Sequence, residues 1–276
     1  MPLLHAIVLG VVQGLSEFLP ISSSGHLVLV PWLFGWTELT GNPELKRTFD
    51  VALHVGTFVG AAAYFRRDLV AYAGAALRSL RRRSVEGDDE RLAWLLLASS
   101  LPAALVGAVL DTFVEEQLGA EWLIGVMLVV FGLVLLWADR LRGTRQADAF
   151  RLRDALLMGT AQACALQPGV SRSGATISMG RWLGFDRAAA ARLSFLMSLP
   201  IIGGAGLYKG VDVAAEGIPA GFGPAFAWGM LASGVTGFLA VWMLLRFVTT
   251  RSFLPFVAYR VVVGAAVVAI AASPFR

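Results

Sequence analysis

The chain has 276 residues, of which 57% are hydrophobic and only 15% charged, with a net charge of +4 and a mean hydropathy of +0.70. Soluble domains run near half apolar and about a quarter charged, so this composition identifies a polytopic membrane protein and excludes a separate soluble domain. A single cysteine, Cys164, excludes an internal disulfide and a cysteine-based metal cage, and arginines confined mostly to loops speak for orientation in a membrane and against nucleic-acid binding.

The first apolar stretch lacks a basic n-region and a cleavage site, so it reads as part of the mature fold. It does not read as a plain crossing either. Residues Leu4–Trp36 are an apolar helix, a break and a second short apolar helix, and the segment from Gln13 to His26 reads QGLSEFLPISSSGH. That segment gathers Gln13, Glu17, Pro20, the hydroxyls of Ser22, Ser23 and Ser24, Gly25 and His26. Irregular backbone at membrane depth is tolerated only where it is buried in protein or lines a cavity, so a re-entrant hairpin is predicted.

Six crossings follow from the apolar runs Thr48–Phe65, Leu92–Leu110, Trp122–Ala138, Leu193–Tyr208, Pro224–Leu245 and Phe253–Ala272. A spanning helix needs roughly 17–25 residues, which these runs reach or nearly reach. Between the third and fourth of these runs, Ala155–Leu183 repeats the pattern of helix, Pro/Ser/Gly break and helix, and predicts a second hairpin. The fold class expected is therefore all-α, with six transmembrane helices and two re-entrant helical hairpins in one integral membrane domain.

Loop charge orients these elements. The loop Arg66–Arg91 carries seven arginines and Asp139–Arg153 five, whereas Asp111–Glu121 has four acidic residues and no basic one. By the positive-inside rule the first two are cytoplasmic and the third external, which puts both termini outside. The first hairpin then enters from the external face and the second from the cytoplasm.

The halves repeat. A shift of 149 aligns Gly10, Gln13, Ser22, Ser24 and Gly25 with Gly159, Gln162, Ser171, Ser173 and Gly174, and a shift of 134 aligns AWLLLASS (93–100) with AWGMLASG (227–234). Residues 1–149 and 150–276 are each one hairpin plus three crossings. An odd number of crossings inverts the second copy, and inverted repeats place a site at the midplane where broken helices meet.

The second break reads QPGVSRSGAT, from Gln167 to Thr176. Serine and glycine at a break that opens a helix cap its free N–H groups, and those groups with the helix dipole favour an anion. Two such starts with Arg172 between them make a phosphate cradle, since the guanidinium is a planar, permanent charge. A charge near the bilayer centre costs roughly 2.5–3.5 kcal/mol, so Arg172 is read as functional. Arg260 lies inside FLPFVAYRVVVG, either at the site or snorkelling to the interface. Glu17 is open to a metal or catalytic role or to pairing with Arg172 or Arg260. His5 and His54 read as core histidines, His26 as a site residue, and Asp50 as a solvated boundary residue. Gln13 and Gln162 can orient a ligand through their amides.

The motifs QGLSEFLPISSSGHL, QPGVSRSGAT and SFLPFVAYR, in that order and with TFDVALHVGT (48–57), resemble the bacterial undecaprenyl-diphosphate phosphatases of the bacitracin-resistance type over essentially the whole chain. The first matches the family's (E/Q)xxxE motif followed by a Ser/Thr-Gly-His segment, with Gln13 at the acidic or amide position, and the second its PGxSRSxxT motif. The resemblance implies hydrolysis of the lipid diphosphate to the monophosphate and inorganic phosphate with a divalent cation (Mg2+ or Ca2+). That reaction recycles the carrier for cell-wall synthesis and confers bacitracin resistance at the bacterial inner membrane. Carried over onto this sequence, Glu17, Ser23, His26 and Arg172 are catalytic, with Glu17 also at the metal. Gln13, Ser22, Ser24, Ser171, Ser173, Thr176 and Arg260 bind the prenyl diphosphate lipid, in a site opening to the external side.

Ser23, His26 and a metal-bound water are the candidate nucleophiles. Ser23 and His26 share a helix face, which favours Ser23 with His26 as its base or as acid toward the leaving group. A lipid-phosphate transporter or flippase without chemistry is the rival reading, and it needs the arginines but neither Ser23 nor His26. The sequence leaves the oligomeric state open, a homodimer included.

Overall fold

A computed structural model describes residues 1–39, 42–216 and 221–273, without the side chains of 43, 110–117 and 212–216. Among the described residues the chain is helical apart from one isolated parallel bridge, Arg145 to Phe185. The helices are α1 (Leu3–Phe18), α2 (Ser23–Phe34), α3 (Pro43–Tyr64), α4 (Arg66–Arg82), α5 (Asp88–Ala98), α6 (Leu101–Gln117) and α7 (Glu121–Arg140), then α8 (Leu152–Cys164), α9 (Arg172–Trp182), α10 (Arg187–Glu216), α11 (Gly223–Phe247) and α12 (Leu254–Ala271).

Among the described residues, five helical stretches are long and apolar enough to cross a membrane: 88–109, which joins α5 to α6, 121–140, 187–211, 223–247 and 254–271. A sixth is obtained if α3 and α4, bent by 86° at Phe65, count as one. Leu105, Val109, Leu231 and Val262 stand exposed along these helices, as they must if lipid is the solvent. The chain is thus a multi-pass helical membrane protein.

One element corrects the sequence reading. The arginine-rich segment after Phe65, expected as a loop, begins with the 17-residue helix α4. Its Ala75 and Ser79 are buried, while Val70, Leu77 and Leu80 are exposed beside Arg78, Arg81 and Arg82. Apolar and basic residues alternating at helical spacing suit a helix lying in the interface plane, with the arginines reaching water. The acidic side chains 111–117, expected outside, fall among those not described.

Small residues let the helices nearest the site approach closely. A Cβ on Gly10 or Gly14 of α1 would strike the carbonyls of Gly229 and Ser233 on α11, and one on Gly56 or Gly60 of α3 those of Met230 and Gly234. α11 is therefore gripped between α1 and α3 by backbone contact, the packing by which membrane helices associate without a hydrophobic drive. α12 meets α7 in the same way at Gly264 and Gly125.

Candidate active site

The two helix breaks have local causes. Pro20 disfavours helical geometry at the preceding residue, so Leu19 is extended (ψ 140°) and α1 stops at Phe18. In the second break the stretch Gln167-Pro168-Gly169 interrupts the chain, with Gly169 at φ +94°. Each following helix opens on a serine with positive φ, Ser22 at 79° and Ser171 at 72°. A non-glycine residue held there costs of order 1–3 kcal/mol and is a mark of functional sites. Each serine hydroxyl caps its helix three residues on, Ser22 Oγ accepting from Gly25 N (3.4 Å) and Ser171 Oγ from Gly174 N (3.1 Å).

The breaks are hydrogen-bonded to each other. Ser22 Oγ also accepts from Gly169 N (3.0 Å), and Ser173 Oγ donates to Leu19 O (3.1 Å). Arg260 of α12, fully buried, ties both to α7: Nη1 donates to Pro20 O (3.1 Å), Nη2 to Gly169 O (2.9 Å) and Val170 O (3.0 Å), and Nε to Leu128 O (3.1 Å). A charge buried at this depth is tolerable because carbonyl dipoles solvate it.

At the junction lies a carboxylate shared by both breaks. Glu17, 6% exposed, receives Arg172 Nη2 on Oε1 (2.9 Å). Its Oε2 accepts from Ser23 Oγ (2.5 Å) and, one turn back, from Gln13 Nε2 (3.0 Å). The other terminal nitrogen of Arg172, Nη1, is buried without a hydrogen-bond partner among the described residues. A hydroxyl bonded to a carboxylate is a nucleophile with a base attached, and an unpartnered guanidinium N–H beside it is a donor for an anion's oxygen.

Several expected site residues take other positions. Arg260, expected to bind substrate, has its donors on backbone carbonyls and braces the breaks. His26, expected to serve as base to Ser23, instead has Nδ1 2.6 Å from Ser22 O and Nε2 2.7 Å from Tyr259 Oη. Thr176 donates to Arg172 O (2.8 Å) and meets Ser194 Oγ (2.6 Å), so it sits behind the cradle. Ser24 is half-buried beside the cap. Asp50 pairs with Lys46 (2.7 Å), and His5 stacks on Trp36 at 3.8 Å between ring centroids.

Sequence reasoning passed over two residues. His54, read as a core histidine, is 37% exposed with Nε2 3.8 Å from Glu17 Oε2, and Tyr259 was read only as part of a motif. No spacing rule would have found either one, since both reach the site from other helices.

Among the described residues no group of three or more His, Cys, Asp or Glu could hold a metal ion, so a resident all-protein metal centre does not fit. A cation carried largely by a phosphorylated ligand does. Glu17 supplies carboxylate oxygens, and the buried Gln13 Oε1, without a hydrogen-bond partner, supplies a further oxygen one turn away. Magnesium commonly sits on one or two protein oxygens and completes its shell with phosphate and water.

A family profile described as "Bacitracin resistance protein BacA" matches residues 6–266. The chain is 50% identical over 272 residues to a protein of Pelobacter propionicus named "Undecaprenyl-diphosphatase", covering 98% of this chain and 97% of that one. Proteins of the same name from Geobacter sulfurreducens and a Nocardioides species are 48% and 47% identical, over 98% of this chain and 98% and 97% of their own. With the profile spanning residues 6–266, nearly all of the chain and both of the joined breaks, the chain belongs to the bacitracin resistance protein BacA family.

Proposed function

We propose that this protein is an integral membrane phosphatase that hydrolyses undecaprenyl diphosphate to undecaprenyl phosphate and inorganic phosphate. It thereby recycles the lipid carrier of cell-wall synthesis and confers bacitracin resistance. The observation that carries the reading is one carboxylate, Glu17, holding the Ser23 hydroxyl on one oxygen and the Arg172 guanidinium on the other. A flippase without chemistry has no use for the first of these contacts.

In this mechanism Ser23 Oγ attacks the terminal phosphorus while its proton passes to Glu17 Oε2. The bond to the bridging oxygen breaks and the lipid monophosphate leaves. Arg172, through the unpartnered Nη1, neutralises charge on the transferred phosphoryl group, and water then releases phosphate from the serine. Glu17 thus takes the role that helix spacing suggested for His26. A divalent cation, Mg2+ or Ca2+, held by the diphosphate with Glu17 and Gln13 Oε1, would supply charge neutralisation that one arginine cannot complete. Ser22, Ser171 and Ser173 hold the two helix starts on which the phosphate rests.

Supporting a pair of re-entrant hairpins within an inverted repeat (1–149 and 150–276) are the matching strained serines and their matching caps at positions 149 apart. Family membership favours the inner membrane and loop charge a site opening outward, and Glu17, Ser23 and Arg172 all come from one chain, so a dimer is not needed to bring them together.

The test is phosphate release from a short-chain prenyl diphosphate by purified protein in detergent, with Mg2+ or Ca2+ and with excess chelator. Release that depends on the added cation is expected. No release from the wild type refutes the phosphatase reading, and full activity in chelator refutes the cation. Cysteines placed at Ser84 and Gln146 should react with impermeant reagent only from the cytoplasm and one at Thr37 only from outside; labelling of all three from one side removes the orientation.

A further inference from the structure

The hydrogen bonds of His26 define its chemical state. Ser22 O is a carbonyl and can only accept, so His26 Nδ1 carries a proton. In the neutral ring Nε2 then holds a lone pair, and the atom 2.7 Å from it is the phenol oxygen of Tyr259, which therefore donates. The two rings lie nearly parallel, 17° apart with centroids 5.6 Å from each other. His26 is 7% exposed, whereas Tyr259 is 41% exposed, so the phenol is the outer member of the pair. Among the described hydrogen bonds none joins His26 to Ser23, and the Ser23 proton lies on the side of Glu17 instead.

We infer that Tyr259 is a positioning residue for the reaction: its hydroxyl, donating to Nε2, anchors the ring of His26 in the tautomer that the Ser22 carbonyl sets at Nδ1, and His26 contributes to turnover only as the inner half of a His26–Tyr259 pair. The inference rests on the phosphatase reading for its kinetic half and on geometry alone for its structural half. Two features of the fold argue that the pair is built and not incidental. Tyr259 precedes Arg260, whose guanidinium is locked onto both breaks, so the start of α12 is held in register with the first turn of α2. At the other ring nitrogen, the carbonyl that orients His26 belongs to Ser22, the strained cap itself. The hydrogen bond at one imidazole nitrogen sets the state of the other, so the Ser22 carbonyl on Nδ1 leaves Nε2 to accept from Tyr259.

Tyr259→Phe retains the stacked ring and removes only the donor. Turnover should fall roughly tenfold, the factor carried by a hydrogen bond of ordinary strength, with KM changed little. In the His26→Ala background the same substitution should have no further effect, because a residue acting through another is silent without it. Losses that multiply in the double variant would overturn the inference. The structural half is read separately from 15N-histidine spectra of the protein in detergent, where three histidines give a tractable spectrum. Wild-type His26 should show a protonated Nδ1 and a hydrogen-bonded, unprotonated Nε2, whose signal moves downfield in Tyr259→Phe. A wild-type spectrum with Nε2 protonated, or with a free lone pair, overturns it whether or not the variant folds, and does so even for a protein that releases no phosphate.

Discussion

The two breaks share a scaffold and differ in chemistry. Ser22 and Ser171 have the same strained backbone and the same cap, and Arg260 binds the carbonyls of Pro20 and Gly169, which are also 149 positions apart. At the remaining positions the copies diverge. Glu17 corresponds to Leu166, Ser23 to Arg172 and His26 to Ala175. The first break thus has the hydroxyl, its base and a histidine, and the second has the cation. Neither contains a site by itself. The Gln13 amide donates to Glu17, whereas the Gln162 amide, with no carboxylate one turn on, is buried without a partner. The two helix starts match in backbone and cap, and the polar groups that meet at Glu17 are divided between them.

The division predicts a hierarchy of losses. Ser23→Ala should lower turnover by at least about a thousandfold while leaving the protein folded and able to bind lipid, since it removes the nucleophile alone. Arg172→Gln should cost about a hundred- to a thousandfold, the range for one preorganised charge-stabilising donor. Adding Leu166→Glu to Glu17→Gln should restore nothing, because the second break has no hydroxyl at the Ser23 position. Phosphate release measures all three, and rescue by Leu166→Glu would break the comparison.

Arg260→Met sharpens it from the side of stability. The substitution strands the carbonyls of Pro20, Leu128, Gly169 and Val170, at about 1–3 kcal/mol for each that stays buried and unpaired. A large fall in melting temperature in detergent is expected. A normal melting temperature with lost lipid binding would return Arg260 to the substrate. Smaller effects separate the two caps. Ser171→Ala should cost about 1 kcal/mol, the usual value of an N-cap, and Ser22→Ala more, since beyond its cap Ser22 accepts from Gly169 at 3.0 Å whereas Ser171 has only the longer contact with Ser173 Oγ at 3.3 Å. Thermal unfolding of the two variants ranks them, and equal losses would show that the cross-break bond contributes no more than the Ser171–Ser173 contact. The smallest effect belongs to His54→Gln. At 37% exposure its contact with Glu17 is worth about 0–1 kcal/mol, so turnover should change by no more than about fivefold.

Much of this was legible in the chain because it depends on near neighbours. Pro20 ends α1 by acting on Leu19, serines cap the residues three ahead, Gln13 reaches Glu17 across one turn, and the apolar runs are long enough to span. These are properties of a few consecutive residues and of the solvent they require. The reading of Arg66–Arg82 as loop failed, because arginines on an amphipathic helix look like arginines in a loop until the apolar positions are placed around the helix.

What only the tertiary structure decided is which groups meet. Glu17 and Arg172 are 155 positions apart and His26 and Tyr259 are 233 apart, and no local rule chooses between such partners. Arg172, partly buried, and Arg260, fully buried, are both cations at membrane depth, yet one meets a carboxylate and keeps an unpartnered donor among the described residues while the other is surrounded by carbonyls. The sequence marks both as costly. Which of them is left with a hydrogen bond to give is set by the packing of α12 against α7 and by the meeting of the two breaks: Arg260 places its donors on carbonyls of both breaks and of α7, and Arg172 keeps Nη1.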